Sequence, residues 1–550
     1  VLAAAGAAGC AAAREPLPEG AYIRDPLPPP RLPPPPEPGG LPDPPPPDPG
    51  GARAGAADPP PLALAEVLAS VRYFFPLLLA AEQEREIAAG QRLAAEGAFD
   101  PTVRGRAAER FGSFSNGVLD LAVEQASPFG GIGTFAGWRL GDGNFPVYYG
   151  ERKTADGGEF RAGVGLPLLQ NRAIDPARAR ARAAQIQERL AEPAVVRARL
   201  DYLRNAAQAY WAWQAAGAQY RVAEGLLRLA DERQEVVDRR AELGRDAGFA
   251  ADQNRRAVYS RRELRLAAER NLQQAAVRLS LFLRDAAGNP VVPPSAWLRA
   301  DFLDLVPPTP RPGELPRDVA GALARRPELV RFQLEKERRA NELQLAENQL
   351  LPQLDVSAAA AQDLGFSKKT FTGDGPFATD RTFAELAATL NVPLPFRTAR
   401  GLSRTARAQL LQLLFQEKYA REEIAAQVQD AVSELTLTYG RVAAARGELE
   451  QAAKVVREAN RRFLAQRTDV FELNLQEFAL AEAQGRVATT LGLFFAAAAN
   501  YRAVIGLDAD PAAPPGAGGC VLPSADPAGV PPPPAGPAGP NPLPPPRPVP

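Results

Sequence analysis

The feature that most restricts this chain is a seven-residue apolar period running from residue 428 to residue 463. Val428, Leu435, Val442, Leu449, Val456 and Phe463 stand at every seventh position. A period sustained in this way means helix packed against helix with left-handed supercoiling. The helical pattern around it, Arg404 to Ala465, is some sixty residues long, which at 1.5 Å per residue gives a rod of roughly 90–100 Å. That is about three times the hydrocarbon thickness of a bilayer. A second stretch, Ala177 to about Leu243, has a similar Ala/Arg/Gln/Glu/Leu-rich composition, with apolar steps of three or seven at Leu226, Leu229, Val236 and Leu243.

Between these helices the period changes from seven to two. In TFAELAATLNV (382–392), Ala384, Leu386, Ala388, Leu390 and Val392 share one face, and Glu385, Ala387, Thr389 and Asn391 share the other. Leu354–Ala358, Leu119–Glu124 and Phe160–Leu166 alternate in the same manner. Apolar on one side and small or polar on the other, over about ten residues, is the pattern of a barrel strand with a wet lumen.

The order of these segments occurs twice. A helix over 62–97, a strand near 100, a strand over 159–167, a helix over 177–243 and a helix over 249–285 form one half. A helix over 316–350, strands over 353–362 and 382–392, and helices over 401–466 and 469–506 form the other. Leu166-Pro167-Leu168 answers Val392-Pro393-Leu394, and Arg239-Arg240 answers Arg461-Arg462, 222 positions later. The first half carries about 25 extra residues between its strands, rich in Gly and aromatics, which reads as a long outer hairpin with interface-seeking rings. Four strands per chain are therefore expected. The breaks near 246 and 468 are expected to be tight helix-to-helix turns at the end opposite the strands.

Composition narrows the function. Lys+Arg and Asp+Glu both total 64, so no basic surplus points to nucleic acid. Histidine is absent, which removes imidazole bases and His-ligated metals. No Cys or Ser constellation is poised for nucleophilic attack, and GGIGTFAG (130–137) lacks the strand-to-helix context of a phosphate loop. Neither an enzymatic site nor a cofactor or metal site is expected. Tyr210-Trp211-x-Trp213 reads as inter-helix packing, and ARARARAA (177–184) as a solvated helix face.

Residues 11–61 and 509–550 are dominated by Pro, Gly and Ala, and read as a linker and a tail that cannot bury enough apolar surface to order themselves. Cys10 follows VLAAAGAAG, a short run that reads as the end of a lipoprotein signal with the Cys acylated, as an ordinary secretory signal, or as a mere Ala-rich end; either signal reading means export. No run of 18 apolar residues occurs, so a bilayer crossing would have to be a barrel.

ALARRPEL (322–329), ENQLLPQLDVSAA (347–359), LNVPLPF (390–396), NYRAVIGLD (500–508) and the paired turn segments together resemble the TolC-type outer-membrane efflux family. The likeness covers about 62 to 507, and GNFPVYYG with GGEFRAGVGLPLLQNRAID is similar to one branch of it. It implies repeats over 62–290 and 316–508 joined by a linker at 291–315. It also implies four strands and long coiled-coil hairpins per protomer, with three protomers closing a twelve-stranded barrel continuous with a helical tunnel. The implied function is a passive exit duct for a tripartite efflux or type I secretion system. Its partners would be outer-membrane lipid, a periplasmic adaptor and an inner-membrane pump. Strand physics asks for assembly independently, because four strands leave two open edges and single-chain barrels begin at about eight. The competing expectation is an exported, lipid-anchored coiled-coil scaffold whose strands form a soluble sandwich.

Asp469 and Glu472 match the position where TolC itself carries two aspartates at its closed periplasmic entrance. The same pair reads equally as a capping box opening a helix. In a trimer these carboxylates, with Asp246 and Asp252, would surround one axis and favour cations. Leu243, Gly244, Gly248 and Phe249 resemble the groove contacted by adaptor hairpins, and read also as a Gly-capped helix end and turn.

Overall fold

The computed structural model describes residues 60–146, 153–242, 248–365 and 382–509. The protein is mainly helical with one small antiparallel sheet. Eight α-helices are described: α1 Leu64–Phe74, α2 Pro76–Glu96, α3 Pro176–Glu242, α4 Gly248–Ser280, α5 Leu315–Arg325, α6 Pro327–Asn348, α7 Arg397–Leu464 and α8 Val470–Val504. The strands are β1 Thr102–Arg110, β2 Asn116–Ala126, β3 Gly133–Gly143, β4 Glu159–Pro167, β5 Gln353–Asp363 and β6 Thr382–Asn391.

Among the described residues six strands are present where four were expected, in the order β1-β2-β3-β4-β5-β6 with every neighbour antiparallel. Part of the segment read as a long outer hairpin, Gly133–Gly143, pairs directly into the sheet. Leu121 stands between Gly105 on β1 and Trp138 on β3, and Trp138 stands opposite Phe160 on β4. Alternation in Leu119–Glu124 announced β2, whereas the glycines of GTFAGWRLGDG hid β3.

Two expected single helices are each broken in two. Pro76 opens α2 and Pro327 opens α6, and the residues before them, Phe75 and Arg326, are extended at ψ 115° and 125°. A proline ring forbids helical backbone at the preceding residue, which sets both breaks. The axes of α1 and α2 differ by 42°. Among the described residues no single helix is long and apolar enough to cross a membrane.

At 67 and 68 residues, α3 and α7 are each about 100 Å long. On α7 the seven-step row is buried or half-buried as its period demands: Val428, Leu435 and Val442 are buried and Leu449, Val456 and Phe463 half-buried. A second row interleaves with it, through Ile424, Ala431, Thr438, Ala445 and Ala459, completing alternate steps of three and four. On α3 the row expected from the sequence holds at Leu226 and fails at Leu229 and Val236, while Leu243 lies outside the described residues. Leu229 and Val236 are exposed, and the buried positions are Ala223, Leu226, Ala230 and Val237. Alanine at 223 and 230 alternates with Leu226 and Val237 in this seam, so half of its positions carry no large apolar side chain, and Leu229 and Val236 fall on the outer flank.

The main core lies midway along the helices, where α1, α3, α4, α7 and α8 meet. Trp213 is fully buried, Tyr210 donates its hydroxyl to the Leu62 carbonyl at 2.8 Å, and Trp211 stacks on Phe495 at 4.2 Å. Packing is thus the role of that aromatic group. The segment joining the two halves belongs to this core: Trp297 and Phe302 are buried, and Arg221 donates to the carbonyls of Arg299 and Leu298 at 2.6 and 3.1 Å. Gly217 makes room for it, since a Cβ there would lie 2.4 Å from Leu298 Cδ2.

Candidate functional site

The two helix turns and the two sheet faces are the places where the chain could act on something outside itself. At the second turn, α7 ends in a hydrogen-bonded stop. Arg467 N–H donates to the Arg462 carbonyl at 2.8 Å and Gln466 N–H to the Phe463 carbonyl at 3.0 Å. Gln466 adopts the left-handed conformation, φ 58°. This is a Schellman closure, built with Gln where Gly is usual. Two residues later α8 begins. Asp469 is its N-cap, accepting from Glu472 N–H at 2.9 Å. Glu472 does not complete a reciprocal box; its carboxylate accepts from Gln476 one turn on, at 2.9 Å. The helix break at 468 is thus set by a stop and a start placed back to back.

The helix ends that flank these turns meet in one apolar cluster of Val237 on α3, Ala251 on α4 and Val470 on α8, with Phe463 of α7 against it. Arg240 lies over the Phe463 ring at 5.6 Å. That cluster brings Asp469 and Glu472 to the same end of the helices as Gly248, Phe249 and Asp252. Gly248 is the first residue of α4. Phe249 is 70% exposed, and Asp252 is exposed and paired with Arg255 at 3.3 Å. Leu243, Gly244 and Asp246, like Cys10, lie outside the described residues. Phe471, also exposed and 222 positions after Phe249, was not singled out from the sequence.

A polar layer just above the turns was also missed. Glu477 of α8 is buried and bonded by two arginines, Arg233 of α3 and Arg261 of α4. Both guanidiniums also reach Asn474 Oδ1, at 2.7 and 2.9 Å. Burial lowers the Arg261 pKa from its ordinary value, and the charge and hydrogen bond of Glu477 oppose that shift. One buried carboxylate therefore ties α3 and α4 to α8. The interruption of the apolar seam by Arg233 and Glu477 was its available sequence signal.

At the other end, the pleat sorts the sheet into two faces. Along one row Leu121, Trp138 and Phe160 stand opposite one another, and along another Val164, Ala358 and Leu386. This apolar face is open to the surroundings: Leu386 is 79% and Val103 71% exposed. The opposite face is polar and cross-linked. Arg104 pairs with Glu124 at 3.0 Å, Arg161 with Asp120 at 2.5 Å, and Arg139 with Glu159. Chemically, one face fits a hydrocarbon solvent and the other an aqueous one.

No family model matches the chain, and no curated protein matches it. Solved structures do. The Campylobacter jejuni CmeC outer membrane channel superposes with a TM-score of 0.57 at 13% identity, over 80% of this chain and 85% of that one. The outer membrane protein VceC of Vibrio cholerae gives 0.57 at 16%, over 80% and 96%. The open-state MtrE outer membrane channel of Neisseria gonorrhoeae gives 0.55 at 15%, over 80% and 88%. The fold is that of the TolC-type outer-membrane channels.

Proposed function

We propose that a chain with this fold is an outer-membrane efflux channel, the passive exit duct of a tripartite efflux or type I secretion system. The observation that carries this reading is the sheet with one open apolar face and one ion-paired polar face, joined to helices about 100 Å long. A soluble sandwich would cover the apolar face; here its leucines face outward. Three copies would form the pore, with the sheet in lipid and the helices in the periplasm, and Cys10 would supply a lipid anchor. The two halves of the chain would be an internal duplication. Energy would come from an inner-membrane pump, coupled through an adaptor docking on Leu243, Gly244, Gly248 and Phe249.

The full chain, expressed with an export signal, should fractionate with the outer membrane and run as a heat-modifiable trimer that conducts in planar bilayers. Soluble monomers that need no detergent would overturn the reading in favour of the scaffold. At the turn, Asp469 and Glu472 would ring the axis together with Asp246 and Asp252. Changing Asp469 and Glu472 to Ala together should then reduce cation preference; an unchanged preference leaves Asp469 as a helix cap and nothing more.

A further inference from the structure

The β2–β3 hairpin is built like wall. Its apolar residues continue the apolar face across the strands: Val103 on β1 stands opposite Val123, which leads through Ala136 to Ala162 on β4, and Leu121 leads through Trp138 to Phe160. On the polar side, ion pairs fasten it to both neighbours: Arg104 of β1 reaches Glu124 of β2, and Arg161 of β4 reaches past β3 to Asp120 of β2. A loop folded over a barrel mouth has no need of matching faces. A pair of strands standing between lipid and water does.

The sheet is open, with β1 at one edge and β6 at the other. Six strands are fewer than the roughly eight that close a single-chain barrel, and an open edge in hydrocarbon leaves its amides without partners. The strand directions alternate throughout, so β6 of one copy lies antiparallel to β1 of the next, and the ring closes without a parallel joint. The edges also differ in charge. β1 carries Arg104, Arg106 and Arg110 on the polar face, whereas β6 carries Glu385, which makes no ion pair among the described residues.

We infer that each chain contributes six strands, with a second copy of the same chain as the occupant of each edge, so that three copies make an eighteen-stranded barrel and not one of twelve. This rests on the channel reading above and deepens it. Barrel diameter grows roughly in proportion to strand number, so the wall is about one and a half times as wide as a twelve-stranded one and encloses an aqueous lumen of porin class. Selection by size would then fall to the helical tunnel and its turns.

Nitroxide labels report which solvent each position meets. The full chain, with Cys10 and Cys520 replaced by Ser, takes single cysteines at Leu121 and Ala136 on the apolar face of the hairpin, and at Asp120 on its polar face. Ala358→Cys and Leu386→Cys on β5 and β6 serve as references. After reconstitution, labels at 121 and 136 should collide with oxygen as readily as those at 358 and 386, severalfold above a water-soluble nickel chelate, while 120 shows the reverse. Water at 121 and 136 with lipid at 358 and 386 removes the hairpin from the wall and overturns this inference alone. Water at all four overturns the channel reading and the inference with it. Native mass spectrometry of the wild-type assembly should give three copies; two copies would close twelve strands and also defeat the proposal.

Discussion

Helices α3 and α7 are nearly equal in length, yet α3 buries 24 of its residues and α7 only 13. The difference is one of company. Helix α3 is packed against α1, α2, α4, α6 and α8, while α7 rests on α5, α6 and α8 and leaves a flank open. That flank is apolar: Leu411, Leu414, Phe415, Tyr419 and Leu437 are all exposed, Phe415 by 72%. One helix is thus finished by its own chain, and the other, on the channel reading, is finished by a neighbour. Equal length and similar composition conceal opposite roles.

Substitutions at the two helices should separate those roles. Trp213→Ala on α3 empties the central core and should cost about 3–5 kcal/mol of stability, read from chemical denaturation. Phe415→Asp on α7 should leave helicity by circular dichroism intact and shift the native mass from an assembly to single chains. If Phe415→Asp instead unfolds the chain, the contrast is lost. Charged groups extend the comparison. Glu477→Gln leaves Arg233 and Arg261 buried against a neutral amide, and should loosen α4 and α8 by about 3 kcal/mol in hydrogen exchange. Asp469→Ala removes only a cap and should cost the first turn of α8 about 1 kcal/mol by the same measurement.

The smallest expected effect is a pH dependence on α7. Glu417 is held below its usual pKa by the hydrogen bond from Lys336, then by that from Arg421, against the opposing effect of burial. A folded value below the unfolded one means that the contribution is complete above the ordinary value of 4.5 and fades as pH falls through the lowered one. Protection of α6 and α7 should therefore weaken in the acid range, and Glu417→Gln should flatten that limb.

What could be read in the sequence follows the size of the side chains involved. The α7 seam was visible because Val, Leu and Phe mark every seventh place. On α3 every other seam position is an alanine, Ala223 and Ala230 beside Leu226 and Val237, so the larger Leu229 and Val236 suggest a row that in fact faces outward. The same bias acted on the sheet. Strand β6 alternates Leu with Glu and Thr and was readable residue by residue, whereas β3 spaces its aromatics with glycine and shows no period. Of the turn, Asp469 could be assigned from spacing alone, because a cap is a local device. The Arg233–Glu477–Arg261 pairing could not, since Glu477 lies more than two hundred positions from either arginine and meets them only through packing.

The turn between β2 and β3 bears, on the channel reading, on how a pore could change calibre. Gly130 and Gly131 both take positive φ there, and a Cβ on Gly131 would strike the Asn171 carbonyl oxygen at 2.5 Å, so the hairpin comes back to the rim from which α3 departs. A segment that leaves and re-enters at one rim reverses no later strand and moves no helix. On the channel reading, bore would become a trait adjustable in whole hairpins, six staves to a three-copy ring at each step, while the shaft beneath keeps its plan.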